Sequence, residues 1–367
     1  MRQRTNVKAV DTPKAAAKGL TSQSAPGKLP ELLLLLLLIA RLAGATLTMI
    51  TDCDETFNYW EPVHFVLFGW GYQTWEYSPV YALRSYLFLS PHMLSTYTLA
   101  SLFGDRAIAF YGTRVAQALV SWWIERRFVL SVMHRFDAGI AADTLCLLAG
   151  TAGMFHASVS FLPSTIAMLA VMLVWSSWLR DQFGPAIFIA VGTILLVWPF
   201  VVMLYVPLGL HALLAPKFGI QKVLRWGIGS TAFWAAASVA VDSYFYGRLV
   251  LPAWEIFRYN VLDDHGGPEL YGVEPASFFL VNGFLNFNLA LPLALILPVL
   301  TVTSLLAGVP GPGQAKPRHG WHLMALGFCS AFFLWFLFMS SIPHKEERFL
   351  SPVYPLVCPR LLALTIC

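Results

Sequence analysis

Apolar residues run through this chain in long blocks rather than in short alternating stripes. The first block is Leu32–Ile50, and others follow at about 80–103, 107–123, 139–160, 162–179, 185–214, 225–242, 278–307, 321–342 and 349–367. A helix needs about 20 apolar residues to span a bilayer, so these blocks predict an all-α fold, a polytopic transmembrane helical bundle of roughly eight to eleven spans. The 185–214 block is long enough for two short helices, broken at Pro199 or Pro207. The expected organisation is a polar tail over residues 1–29 and one multi-span membrane domain over 30–367.

Composition sharpens this picture. Of 367 residues, 57% are hydrophobic and 12% charged, half the charge of a typical soluble domain, which points to lipid as the solvent. Residues 1–29 carry six Lys or Arg against one Asp and read as a disordered cytoplasmic tail. With the tail cytoplasmic, Thr51–Ser78 falls on the lumenal side. The flexible, basic stretch Val309–His319 is then cytoplasmic, and the helix after it returns Pro343–Arg348 to the lumen. Arg41, in the middle of the first block, is costly in hydrocarbon and is expected to face the bundle or a polar cavity. The net charge of +4 and the absence of a binding motif exclude a nucleic-acid partner. The five cysteines are scattered, without a C-x-x-C pair, so neither a disulfide framework nor a zinc site is readable.

Two charge-rich loops on one face suggest a site between them. The first, Asp52–Pro62 (DCDETFNYWEP), holds four carboxylates in ten residues. If helical, it puts Asp54, Asn58 and Glu61 on one face. Phe57, Tyr59, Trp60, Trp70, Tyr72, Trp75 and Tyr77 surround the acids, and such rings form either a sugar platform or an interfacial belt. The second loop, Pro343–Phe349, packs His344, Lys345 and Arg348 beside Glu346 and Glu347; Lys and Arg bind phosphate oxygens by charge-assisted hydrogen bonds. A third stretch brings Asp263, Asp264 and His265, then Glu274, Asn282, Asn286 and Asn288, whose asparagines suit hydroxyl binding or helix capping. Phosphate-loop, dinucleotide, zinc-protease and serine-hydrolase motifs are absent. A polytopic transporter is the competing class. It calls for charges lining several spans, whereas apart from Arg41, Arg114 and Glu125–Arg127 the charges fall in loops.

These loops, with Gln73–Tyr86 (QTWEYSPVYALRSY), Phe161–Ser164 (FLPS), Asp242–Gly247 (DSYFYG), Asn282–Asn288 (NGFLNFN) and His344–Phe349 (HKEERF), resemble the dolichyl-phosphate-mannose-dependent mannosyltransferases of the GT-C superfamily, family 22. The match runs in order over about residues 35–357, and it is closest to the α-1,2-mannosyltransferase branch of lipid-linked oligosaccharide assembly. The resemblance implies a GT-C bundle whose lumenal loops form the site, in a multi-pass protein of the endoplasmic reticulum membrane. It implies inverting transfer from dolichyl-phosphate-mannose to a dolichyl-diphosphate-linked oligosaccharide for N-glycan precursor assembly. The family's acidic pair falls on Asp54 and Glu55, one of which takes the acceptor proton. His344, Lys345 and Arg348 are then the donor-phosphate candidates, and Asn58, Trp60, Glu61, Trp75 and Glu76 the acceptor and sugar candidates. The expected partners are these lipid-linked substrates and membrane lipids, with no cofactor and no metal site. The near alternatives are a sibling α-1,6- or glycolipid-anchor mannosyltransferase, and a truncated, inactive scaffold. Family members continue past Val353–Pro355, whereas Cys358–Cys367 (CPRLLALTIC) departs from their pattern, so a C-terminally short form is expected. Gly272–Phe279 (GVEPASFF) departs slightly, with small residues in place of Thr and aromatics.

Overall fold

The computed structural model describes residues 29–214, 218–262, 272–307 and 319–357. Nearly all of the 1–29 tail, most of the Val309–His319 loop, the Asp263–His265 cluster and Cys358–Cys367 lie outside the described residues. Within them every regular element is helical.

Local signals set the helix ends. After α1 (Glu31–Leu47) and α2 (Glu61–Phe68), the side chain of Ser85 accepts from the Phe88 N–H at the start of α3 (Tyr86–Phe103). Asp105 does the same for the Ala107 and Ile108 N–H groups of α4 (Arg106–Arg135), and Asp137 for Ile140 of α5 (Ala138–Gly150). The short α6 (Ala152–Ala157) leads to α7 (Pro163–Leu179), which opens on a proline whose missing N–H has no partner to lose there. Then come α8 (Phe183–Gly192), α9 (Val202–Leu214), α10 (Gly219–Tyr246), α11 (Pro252–Phe257), α12 (Phe278–Phe287), α13 (Ala290–Leu306) and α14 (His319–Ser341).

Two apolar blocks are broken where the sequence reading runs them through, and a third breaks at one of its two expected prolines. Block 139–160 divides at Thr151, where the backbone is extended. Block 278–307 divides at Asn288, whose φ of 50° leaves the helical region. Block 185–214 breaks at Trp198–Pro199, while Pro207 stays inside α9. The expected last span is instead a tight 3-10 turn over Glu347–Leu356, where Pro352 and Pro355 cannot donate to an α-helical ladder. No helix among the described residues is long and apolar enough to cross a membrane. The longest, α4, spreads Arg106, Arg114, Glu125, Arg126, Arg127 and Arg135 along its thirty residues.

The main core gathers around α7, most of whose side chains are buried. It packs against α4, α8 and the 347–356 turn. Arg41 of α1 turns inward. Its Nε and Nη2 donate to Glu125 of α4 at 2.7–3.1 Å, and Nη2 also donates to the Leu148 carbonyl of α5 at 2.6 Å. Both side chains are fully buried, which ties three helices at one point. A second, aromatic core of Tyr59, Trp60, Tyr77, Tyr86, Phe161 and Tyr246 supports the loop between α1 and α3.

Candidate active site

The 52–60 segment follows directly on α1. Asp52 accepts from the Asp54 N–H at 2.9 Å, a short-range bond that starts the turn. Residues 55–60 then wind with a wider, i to i+5 spacing. Asn58 therefore still reaches back to Asp54, its Nδ2 donating at 3.1 Å. Glu61 has rotated off that face and accepts from the Tyr72 N–H instead. The same widening brings Trp60 Nε1 onto Glu55 at 3.1 Å.

The second loop closes over the first. Arg348 donates through Nη1 to Asp52 at 3.0 Å and through Nη2 to Asp54 at 2.5 Å, and its Nε lies 2.5 Å from Glu346. Its flanking residues are held by neighbours: Trp335 of α14 donates to the Phe349 carbonyl at 2.7 Å, and Asn286 of α12 to the Glu347 carboxylate at 2.6 Å. Burial works against the charge of Arg348, but Glu346, Asp54 and Asp52 together hold it above the ordinary arginine range. Burial likewise opposes ionisation of Asp54. Arg348, Arg84 and the Asn58 amide outweigh it, and the carboxyl stays below its usual value. Asp52 shifts the other way, because burial and the neighbouring Glu346 and Asp54 outweigh its bond to Arg348.

These groups open onto a cavity of about 490 Å³ lined by Asp54, Trp75, Glu76, Arg84, His344, Glu346 and Arg348, with Trp198, Phe338 and Phe349 on its apolar wall. Trp75, Tyr81 and Tyr259 pack against one another at 5.0–6.2 Å between ring centres. Of these rings, Trp75 and Tyr259 line the cavity. A second chamber of about 560 Å³, mostly apolar, lies between α3, α4 and α7, and Val197 lines both cavities.

The sequence-derived candidates divide accordingly. Asp54, Trp75, Glu76, His344 and Arg348 meet at the cavity, and Asn58 stands behind Asp54. Glu55 does not join them. It is 3% exposed and accepts from the Phe161 N–H and the Trp60 indole, and burial raises its pKa despite both bonds. Trp60 is buried against Phe110 and Phe161. Lys345 turns away as well, its Nζ donating to the Ile342 and Glu274 carbonyls and only 6% of the residue exposed, so its ammonium serves peptide oxygens rather than the cavity. Arg84 lies among the cavity residues without having been singled out. Its motif was read, but a lone arginine in Gln73–Tyr86 carries no spacing signal. Among the described residues no cluster of His, Cys, Asp and Glu could hold a metal ion.

The fold is that of GT-C glycosyltransferases. The crystal structure of ArnT from Cupriavidus metallidurans bound to undecaprenyl phosphate superposes with a TM-score of 0.60, covering 91% of this chain and 60% of that one at 16% identity. Residues 32–364 match the Alg9-like mannosyltransferase family, and this chain belongs to that family. It is 40% identical over 328 residues to alpha-1,2-mannosyltransferase ALG9 of Mus musculus and 39% identical to that of Homo sapiens, in each case 88% of this chain and 52% of the relative. The chain thus spans about half the length of the relatives it matches.

Proposed function

We propose that this chain transfers mannose from dolichyl-phosphate-mannose to a dolichyl-diphosphate-linked oligosaccharide, forming an α-1,2 linkage with inversion. The observation that carries the reading is Asp54, a half-buried carboxylate held ionised at a cavity between two guanidiniums. Asp54 takes the proton from the acceptor 2-hydroxyl as that oxygen attacks the anomeric carbon. The bond from that carbon to the donor phosphate breaks, its electron pair stays on phosphate oxygen, and Arg348 meets the charge that develops. Glu55 fixes the loop to Phe161 and takes no part in proton transfer. Lys345 fixes the second loop, which leaves Arg348 and His344 as the donor-phosphate candidates on that loop.

The aromatic group Trp75, Tyr81 and Tyr259 suits stacking against acceptor sugar rings, with Glu76 and Asn58 behind it for hydroxyls. The apolar chamber beside the cavity suits part of an isoprenoid chain. The membrane setting is part of the same proposal. Helices α1 and α3 expose Leu32, Leu35, Ile39, Leu94 and Leu102, large apolar side chains that suit a lipid-facing surface. The cavity then faces the lumen of the endoplasmic reticulum, with the N-terminus in the cytoplasm.

The test is mannosyl transfer from dolichyl-phosphate-mannose to lipid-linked acceptors by membranes containing this chain, beside an Asp54→Asn variant. Transfer by the first and none by the second supports the mechanism. Equal transfer by both removes Asp54 as the base.

A further inference from the structure

We infer that Arg84 is a second ligand of the donor phosphate, positioned in the cavity from α10 by Asp242 and Tyr246. The inference rests on the reading that the donor is a polyprenyl-phosphate sugar.

The departing phosphate gains one negative charge as the bond to the sugar breaks. Arg348 alone is poorly placed to meet it, since Asp52, Asp54 and Glu346 already share that one cation. Arg84 is the other guanidinium lining the cavity. Its Nε and Nη2 grip Glu76 at 3.0 and 2.8 Å, and its Nη1 donates to the Tyr59 hydroxyl at 2.6 Å. These bonds use three of five N–H donors and lock the plane of the group. The side chain keeps 22% of its surface exposed.

The backbone of Arg84 lies in an irregular stretch just after Ala82, whose φ is +50°, and such a stretch has no ladder of its own to hold it. The DSYFYG motif supplies the hold. Asp242, fully buried, accepts from Ser85 Oγ at 2.9 Å, from the Tyr86 N–H at 2.6 Å and from the Leu87 N–H at 3.2 Å. Ser238, one turn earlier on α10, completes the carboxylate's set at 2.6 Å. The Tyr246 hydroxyl donates to the carbonyl of Arg84 itself at 2.6 Å. The bonds to Tyr86 and Leu87 also satisfy first-turn N–H groups of α3 that Ser85, serving Phe88 alone, leaves open; the Tyr246 bond to the Arg84 carbonyl serves no helix start. Gly247, at a φ of 66°, ends α10 immediately after Tyr246 and so leaves the hydroxyl at the helix end.

Tyr246→Phe deletes one oxygen and keeps the ring, so it is the informative variant; Asp242→Asn risks the fold. Binding of dolichyl phosphate to the purified full chain in detergent is measured for the unsubstituted protein, Tyr246→Phe, Arg84→Lys and the double variant, each with its melting temperature. Tyr246→Phe is expected to weaken binding roughly three- to tenfold, the range of one neutral hydrogen bond. Arg84→Lys is expected to weaken it at least as much, and the double variant no more than Arg84→Lys alone, because Tyr246 acts through Arg84. Unchanged binding by folded Tyr246→Phe, or losses that multiply in the double variant, would overturn the inference. If the unsubstituted chain binds no dolichyl phosphate, the donor reading falls with it. If it binds and the variants bind equally, only the role of Arg84 falls.

Discussion

Asp54 and Glu55 carry the same group on adjacent residues, yet one faces the cavity between two guanidiniums and the other accepts hydrogen bonds from Phe161 and Trp60 inside the protein. That difference predicts opposite responses to amide substitution. Asp54→Asn should lower transfer by about 10²- to 10⁴-fold, the usual worth of a positioned base. Glu55→Gln keeps the one oxygen, Oε1, that accepts from both Trp60 and Phe161, so transfer should fall less than about tenfold and the melting temperature should change little; paired activity and melting measurements separate the two. The pH dependence follows from Arg348. Asp54 faces Arg348 and Arg84 as cations, with Asp52 and Glu346 as nearby anions. Taking away Arg348 removes the larger of the two cationic influences that depress the Asp54 pKa, so that pKa rises. In Arg348→Gln the acid limb of kcat/KM should move to higher pH, with protonation silencing the base earlier as pH falls. An unmoved limb in a variant that retains measurable transfer would dissociate Asp54 from that limb.

At the level of elements, the Arg41–Glu125 pair holds α1, α4 and α5 where no solvent reaches. Glu125→Leu leaves Arg41 charged and unpaired and should cost about 3–5 kcal/mol, whereas Arg41→Leu with Glu125→Leu should recover much of that loss. Thermal melts of the single and double variants in detergent test the ordering. The helical class, the inward Arg41 and the meeting of the two charged loops were legible because each has a local signal: block length, a charge among leucines, a cluster of acids or bases. The breaks were less so. Nothing around Asn288 marks a positive φ, and Pro207 looks as disruptive as Pro199 although only the second ends a helix. The directions of the Glu55 and Lys345 side chains were not legible, for one reason. Side-chain direction in this loop depends on the wide turn over 55–60 and on which peptide oxygens lack a donor, and neither quantity is written in residue spacing.

For the whole molecule, sidedness is the property most open to test. Cys53 is exposed in the first charged loop, next to Asp54. In sealed microsomes, a variant with Cys53 as its only cysteine should react with a membrane-impermeant thiol reagent only after the vesicles are permeabilised. Labelling of intact vesicles would put the cavity on the cytoplasmic side. Finally, Asp52 and Arg348 are 296 positions apart. At ribosomal rates of roughly 5–20 residues per second, the acidic loop waits on the order of 15–60 s for its arginine. Through that interval the nascent chain carries the acids of the first loop without Arg348, and the cavity cannot close until α14 has been made. The ion pair at the cavity is thus also a clock: it closes late, once two loops 296 positions apart have met.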